Sequence, residues 1–338
     1  MALQTRVKGA WAASTSQTYR SAWNDFTRWC AARRPPLSAL PASELTIALY
    51  LESRTESAKS FAVIKTASAA IAQMHSINLH PAEPTKGALA SMIRKAAARD
   101  LGLAPHNLKS PWTWAQVRDF TATYCTPTGA EFTFITALAA ATLFVCACRF
   151  DDAHALRWAN LDASRPGFLV ITFAKRKEDQ FRKGSSVTIP DDPLLEPNLP
   201  AVFRRWKLIL RPESESALVF PSFSLAMAKQ GISSLQLTTP LNYDVFSNAL
   251  ALWMGELMGL SPEEFKHRFG TRSGRAGGTT AALAAGVPEP LIRKHGDWRS
   301  AAMYRYMEPD AITEATVARA IATNPASQNR TDSAPLPH

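Results

Sequence analysis

The amino-acid sequence predicts a mainly α-helical chain with a small β-sheet, divided into two domains. Apolar side chains recur at helical spacing over most of the chain. One β-branched and aromatic run, 167–175, is followed by a second, 185–190, and this pair is typical of a β-hairpin. With 338 residues, of which 46% are apolar, the chain is long enough for two domains of ordinary size.

Four helices are predicted in the first 102 residues. The first covers 14–31, where Trp23, Phe26 and Trp29 recur on one face. The second follows a Ser43 cap, the third spans about 58–77, and the fourth follows Pro84. The side chains expected to point inward on the second and fourth helices are Leu45, Ala48 and Leu49, and Leu89, Met92, Ile93 and Ala96.

The fourth helix and the N-terminal third of the chain are basic. Residues 1–110 carry 14 of the 38 basic side chains but only 6 of the 28 acidic ones. Such an excess favours a polyanionic partner, most simply nucleic acid, although a merely solvated basic face is the competing interpretation. The candidate phosphate contacts are Lys86, Arg94, Lys95 and Arg99.

Several function classes are disfavoured by the sequence. The four cysteines form no CxxC pair and no zinc-like spacing with histidine, which indicates a reducing compartment and no metal site. The first ten residues lack the apolar core of a signal peptide. The longest nearly apolar run, 134–148, is too short for a bilayer span and predicts a buried helix. We therefore expect no membrane partner and no secretion, but a cytoplasmic protein in a prokaryote or a nuclear one in a eukaryote.

The domain boundary is expected near residue 108. The segment 103–113 contains two prolines and an asparagine, which interrupt the helical periodicity and indicate a linker. The predicted domains are 1–108 and 109–323, and the polar, proline-containing tail 324–338 is expected to be disordered. In the second domain the pattern predicts the hairpin and helices at about 112–124, 130–148, 200–210 and 242–259.

The most specific pattern lies in residues 265–307. Arg272 and Arg275 stand at a predicted helix start, and the run GGTTAALAAG that follows allows close backbone packing. Trp298 comes later, and then Tyr304 and Tyr306. Two arginines can hold the non-bridging oxygens of a phosphodiester and offset the charge of its transition state, while a tyrosine can attack the phosphorus.

These motifs resemble those of the tyrosine recombinases, the phage-integrase family. In that family an HxxR motif is followed by Gly, then His or Trp, then Tyr eight or nine residues later; here RSGR, Trp298 and Tyr306 fill these places, with Arg272 where His is usual. Upstream, CACRFDDAHALRWANLD resembles the family's first arginine box, T-G-L-R-x-x-E-L-x-x-L-x-W-x-D-I-D, with Arg149 at the arginine and Asp152 at the carboxylate.

The resemblance implies a SAM-like helical core-binding domain followed by an α+β catalytic domain. It implies a site-specific recombinase or integrase that cleaves and rejoins DNA through a covalent 3′-phosphotyrosine and needs no cofactor. The implied partners are double-stranded DNA with inverted-repeat sites and three further copies of the chain, as a homotetramer on DNA. The residues implied for catalysis are Arg149, Asp152, Lys177, Arg272, Arg275, Trp298 and Tyr306.

Several alternatives stay open at this stage. Lys175 competes with Lys177 as the general acid on the hairpin, and Tyr304 competes with Tyr306 as the nucleophile. The two tyrosines point about 200° apart on a helix, so only one can face the phosphate. Arg272 either keeps the phosphate contact or marks lost activity, which would make the chain a catalytically silent DNA-binding protein. A type IB topoisomerase is less favoured because of the chain's size and its SAM-like front half.

Overall fold

The computed structural model describes residues 13–81, 83–102, 109–174, 184–298 and 303–304. Helices dominate, and the described strands form two small antiparallel sheets. The predicted fold class, mainly α with a small β-sheet, is therefore confirmed. The chain divides into two compact units, Met1–Leu108 and Lys109–His338, here called unit 1 and unit 2. The tail 324–338, predicted to be disordered, lies outside the described residues.

Unit 1 is a bundle of the four predicted helices. They are α1 (Ala13–Ala31), α2 (Glu44–Ser57), α3 (Phe61–Ile77) and α4 (Ala88–Leu101), and α1 packs on α3 while α2 packs on α4. The predicted cap is present, because Ser43 Oγ accepts a hydrogen bond from the Thr46 amide at 3.1 Å. The α4 start is held by α2, since the Glu44 carboxylate accepts the Leu89 amide at 2.7 Å.

The inward faces predicted for α2 and α4 are partly wrong. Leu45 and Leu49 on α2 are 59% and 49% exposed, and Leu89 and Met92 on α4 are 40% and 65% exposed. Ala48 is buried as predicted, Ile93 packs against the core, and Ala96 is exposed. The physical reason is that each helix carries a second apolar face, and that second face meets the core. Its buried members are Ile47, Tyr50 and Leu51 on α2, and Ala90 and Ala97 on α4.

Unit 2 is built around one buried helix. This helix, α6 (Glu131–Val145), is buried along nearly its whole length, which confirms the prediction for the apolar run. Helices α5, α8, α10 and α12 pack around it. The helices of unit 2 are α5 (Trp114–Tyr124), α6, α7 (Phe150–Ala153), α8 (Leu199–Leu210), α9 (Leu225–Ala228), α10 (Tyr243–Leu257), α11 (Pro262–Arg268), α12 (Arg272–Ala284) and α13 (Glu289–Gly296). Across the described parts of both units, no helix combines the length and apolarity needed to cross a membrane.

The predicted hairpin is confirmed as two strands of a three-stranded sheet. Strands β2 (Phe168–Phe173) and β3 (Ser185–Pro190) pair antiparallel, with Phe173 opposite Ser185. A two-residue strand, β1 (Leu161–Asp162), adds to the other edge of β2. A second sheet pairs β4 (Pro221–Ser222) with β5 (Gln236–Pro240). The sequence does not predict β1 and β4, because two residues are too few to show an alternating pattern. It does not predict β5 either, because that strand is exposed along almost its whole length and does not alternate.

Candidate active site

The helix that carries the paired arginines, α12, lies directly against the end of α6. A side chain at Gly278 would place its Cβ 2.0 Å from the Phe144 carbonyl oxygen, and one at Gly277 would place it 2.8 Å from the Phe144 ring. Only glycine fits this approach, since real Cβ atoms do not come within 3.0 Å of other heavy atoms. The close packing predicted from the small residues is therefore confirmed, and it brings Arg275 beside the segment that follows α6.

That segment turns sharply to present Arg149. Helix α6 ends at Val145, and Ala147 adopts the left-handed backbone conformation, with φ +43°. The family's first arginine box has glycine at this place, two residues before the arginine. Arg149 is half-buried, and its backbone amide donates to Asp152 Oδ2 at 3.0 Å. Asp152 thus fixes the backbone at Arg149.

Arg275 is buried, with only 1% of its surface exposed. Its Nη2 donates to the Gly296 carbonyl oxygen at 2.8 Å, and its Nη1 lies 3.9 Å from Asp152 Oδ2. The guanidinium carbon stands 3.7 Å from the centroid of the Trp298 ring. An isolated buried cation is costly, and here a carboxylate, a carbonyl and an aromatic face surround it. The guanidinium is consequently held in one orientation.

The three residues before Trp298, His295 to Asp297, hold the tryptophan against that guanidinium. His295 Nε2 donates to the Val145 carbonyl oxygen at 2.8 Å, which ties the end of α13 to the end of α6. A Cβ at Gly296 would fall 2.3 Å from Trp298 Nε1, so glycine is required there. Asp297 follows with φ +52° and turns the chain, leaving Trp298 6% exposed. The sequence favours a structural role for His295 over a general-base role, but nothing in its spacing identifies the distant Val145 as its partner.

The remaining predicted catalytic residues divide into two groups. Arg272 lies in the first turn of α12 and is exposed, three residues before the buried Arg275. Lys177, its competitor Lys175, and Tyr306 lie outside the described residues. The structure thus brings Asp152, Arg275 and Trp298 into one cluster, with the Arg149 backbone bonded to the same carboxylate.

Tyr304, the competing nucleophile, is described and points to the surface. It is 54% exposed, and its hydroxyl donates to Glu289 Oε2 at 2.7 Å. This hydrogen bond, together with the charge of Glu289, raises the pKa of Tyr304 above its ordinary value. A phenol in this setting is a poorer nucleophile than a free one, because its reactive anion is disfavoured.

The predicted phosphate contacts of unit 1 are not equivalent. Lys86, Lys95 and Arg99 are exposed, and the last two stand one helical turn apart on α4. Arg94 instead donates from Nη1 to Ser68 Oγ at 3.1 Å and to the Thr85 carbonyl oxygen, and from Nη2 to Ser91 Oγ at 3.0 Å. Arg94 therefore ties α4 to α3 and to the turn that precedes α4.

No cluster of three His, Cys, Asp or Glu side chains suited to a metal ion occurs in the described portion of either unit. All four cysteines are buried, and none of them forms a disulfide. In the cluster of Asp152, Arg275 and Trp298, the cationic group is the Arg275 guanidinium.

Two solved structures are similar to this chain over most of its length. A XerH site-specific recombinase, bound to its palindromic difH substrate in a post-cleavage complex, matches with a TM-score of 0.61 at 13% identity, covering 91% of this chain and 79% of that one. The Tn1549 transposon integrase, in complex with circular intermediate DNA, matches with a TM-score of 0.58 at 14% identity, covering 94% of this chain and 97% of that one. No protein-family model matches the chain, and no curated protein sequence does. At these identities the likeness is one of fold.

Proposed function

We propose that this chain, which has the tyrosine-recombinase fold, is a site-specific DNA recombinase or integrase that cleaves and rejoins DNA strands through a covalent 3′-phosphotyrosine. The observation that carries the proposal is the buried Arg275, which stands 3.9 Å from Asp152 and 3.7 Å from the Trp298 ring. Three separate parts of the chain contribute to this cluster. Structural stability alone does not call for a buried cation, since apolar residues of similar size often serve as well or better.

In this proposal Arg149 and Arg275 hold the non-bridging oxygens of the scissile phosphate. Guanidinium groups donate two parallel hydrogen bonds to such oxygens, and a buried site strengthens them because the local dielectric is low. Asp152 orients Arg275 through its charge and holds the Arg149 backbone through a hydrogen bond. Arg272, exposed in the same helical turn, reaches the phosphate from the solvent side. Negative charge on the non-bridging oxygens in the transition state is thereby stabilised.

Tyr306 is the proposed nucleophile and Lys177 the proposed general acid. The Tyr306 hydroxyl gives up its proton to solvent water as its oxygen bonds to phosphorus. The bond from phosphorus to the 5′ oxygen breaks, and the Lys177 ammonium gives that 5′ oxygen a proton. The energy of the broken bond is kept in the new ester, so religation needs neither a metal nor a nucleotide. The hydrogen bond between Tyr304 and Glu289 supports Tyr306, because it engages the competing phenol elsewhere.

The proposed substrate is double-stranded DNA with inverted-repeat sites, bound by a homotetramer. Unit 1 would serve as the core-binding domain and residues 109–323 as the catalytic domain. Exposed cations on and before α4 support the first assignment, since each can neutralise a phosphate. The three that we assign to the duplex are Lys86, Lys95 and Arg99, and Arg94 supports α4, which carries the last two.

The test is a covalent-adduct assay on nicked duplexes that carry the DNA flanking the gene, resolved in denaturing detergent. Wild-type protein and Tyr304→Phe should form a detergent-resistant protein–DNA adduct, and Tyr306→Phe should form none. Survival of the adduct in Tyr306→Phe would overturn the assignment of the nucleophile. The matched Tyr304→Phe variant shows that losing a phenol in this region does not by itself prevent cleavage.

A second candidate function is a catalytically silent DNA-binding protein with this fold. The observation that favours it is Arg272, an exposed arginine where the family usually has histidine. Arginine donates hydrogen bonds but cannot accept a proton at neutral pH, so any proton-accepting role at this place is lost. Wild-type protein that binds the flanking duplex but never forms the adduct would establish this second function.

A further inference from the structure

A short segment at the start of unit 2, Lys109–Thr113, is bonded to the end of α11 and to the first turn of α12. We call this segment the strap. Its backbone makes two hydrogen bonds there. The Ser110 amide donates to the Arg268 carbonyl oxygen at 2.9 Å, and the Trp112 amide donates to the Ser273 carbonyl oxygen at 3.0 Å. One bond thus reaches the last residue of α11, and the other reaches the first turn of α12.

The Lys109 side chain adds a third attachment. Its Nζ donates to the Lys266 carbonyl oxygen at 2.5 Å and to the His267 carbonyl oxygen at 2.8 Å. Both carbonyls belong to the last turn of α11, where a helix has oxygens without intrahelical partners and a partial negative charge. An ammonium group at this place satisfies those oxygens and fixes where α11 ends and the turn to α12 begins.

Trp112 packs against α12 at positions before and after Arg275 in the sequence. Its side chain is 1% exposed, and a Cβ at Gly274 would fall 2.7 Å from its ring. A Cβ at Gly277 would fall 2.1 Å from the Trp112 carbonyl oxygen. Gly274 and Gly277 flank Arg275 in sequence, so the backbone that carries the guanidinium is in direct contact with the strap.

From this geometry we infer that the strap is a positioning element for the arginines of the cleavage site, with Lys109 and Trp112 as its positioning residues. The inference rests on the proposed function. Phosphoryl transfer depends on groups held within about 0.5 Å of their productive place, and a misplacement of about 1 Å can cost about 100-fold in rate. The strap acts through α11 and α12, and it contributes no group to the reacting atoms.

The test compares Lys109→Met with Lys109→Arg and with a matched control, Lys229→Met. Methionine keeps an unbranched stem beside Gly270 but donates no hydrogen bond, whereas arginine restores donors. Lys229 is an exposed lysine of the same unit, just after α9. Lys109→Met should lower the single-turnover rate of adduct formation about 10-fold with DNA affinity within about 2-fold of wild type. Lys109→Arg should recover most of the rate, and Lys229→Met should match wild type.

Two outcomes in the cleavage assay would overturn the inference. An unchanged rate in folded Lys109→Met would mean that the strap only adds stability. Weaker DNA binding with an unchanged rate on saturating DNA would mean that Lys109 contacts DNA instead. Rescue by arginine separates positioning from a general loss of structure, because a damaged fold would not recover with the longer side chain.

A second measurement keeps the inference testable if the wild-type chain forms no adduct and the proposed function fails. Hydrogen exchange of the free protein should show faster exchange at amides 270–275 in Lys109→Met, with α6 and α10 unchanged. The same amides in Lys229→Met should exchange as in wild type. Equal exchange in all three proteins would refute a positioning strap, whatever the chain does to DNA.

Discussion

At the scale of single residues, the site depends on backbone conformations that side-chain patterns do not reveal. Ala147 holds a left-handed conformation at φ +43° where the chain turns from α6 to Arg149. For an L-residue this conformation costs about 1–2 kcal/mol. The turn is nevertheless kept, because it directs the chain so that Arg149 precedes α7 and shares Asp152 with Arg275.

Replacing Ala147 with glycine should therefore change the stability of unit 2 very little. The substitution relieves about 1–2 kcal/mol of strain, which offsets a buried methyl group worth about 0.8 kcal/mol and a glycine entropy cost of about 0.5–1 kcal/mol. We expect the free energy of unfolding to stay within about 1 kcal/mol of wild type, measured by chemical denaturation.

The control for this substitution is Ala137→Gly, in the middle of α6. Ala137 is also fully buried, but it has ordinary helical geometry, so no strain is relieved. Its replacement should cost about 2 kcal/mol, the sum of the lost methyl group and the helix propensity of glycine. Equal losses at the two positions would show that the left-handed turn stores no strain.

At the scale of the helix, α4 carries two kinds of basic residue that cannot be told apart from the sequence. Lys95 and Arg99 are exposed, whereas Arg94 donates hydrogen bonds to Ser68 and Ser91. If DNA lies along the exposed face, each of the exposed cations contacts one phosphate. A bonded arginine contributes instead to the stability of unit 1.

We expect the double variant Lys95→Gln/Arg99→Gln to weaken DNA binding and to flatten its salt dependence. The slope of log affinity against log salt should fall by roughly 1.8, about 0.9 for each lost phosphate contact. The matched pair Lys59→Gln/Lys65→Gln, which removes two exposed lysines outside α4, should leave the slope unchanged. A slope unaltered in the α4 variant would place the duplex on another face.

The sequence predicts the positions of several helices and strands correctly, but not which face of each helix is buried. Helix positions in unit 1 and the hairpin followed from periodicity, because those patterns are local. The face that each helix buries did not follow for Leu45, Leu49 and Met92, since α2 and α4 each carry two apolar faces and only packing selects one. Trp112 falls at the end of the predicted linker 103–113 and at the start of the predicted helix 112–124, because two prolines precede it. Long-range contacts with Gly274 bury it instead.

In the candidate site, too, contacts that follow from a local pattern are predictable and contacts between distant positions are not. The close approach of α12 to α6 is predictable, because a run of glycines and alanines lets the backbone of one helix pack closely against another. The contact of His295 with Val145 was not predictable, since it joins positions 150 residues apart and leaves no local pattern. The sequence does not separate Arg94 from the exposed cations, because its partners, Ser68 and Thr85, lie on other elements.

At the scale of the whole molecule, each unit has its own hydrophobic core. The core of unit 1 gathers Phe26, Tyr50, Ile64 and Ile71, and that of unit 2 extends from Trp112 to Phe269. Inside unit 1, His75 is fully buried; its Nε2 accepts the Ala42 amide at 2.9 Å and its Nδ1 donates to the Ile71 carbonyl oxygen at 2.8 Å. Separate cores favour separate unfolding transitions.

We predict two thermal transitions by calorimetry, and His75→Phe should move only one. The variant leaves the buried Ala42 amide without its acceptor, which costs about 1–3 kcal/mol. For a domain of this size, each 1 kcal/mol lowers Tm by roughly 4–8 °C. Ala137→Gly, in unit 2, should move the other transition alone. A joint shift of both transitions in either variant would show that the two units unfold together.

The buried thiols allow opening of the two units to be timed separately. Cys30 lies in unit 1, whereas Cys125, Cys146 and Cys148 lie in unit 2, and each is at most 2% exposed. Burial raises the pKa of Cys30, and it raises that of Cys125 to about 12, so these two thiols are poor nucleophiles as well as inaccessible. The rate at which an alkylating reagent modifies each thiol, measured by peptide mass spectrometry, would consequently report how often each unit opens.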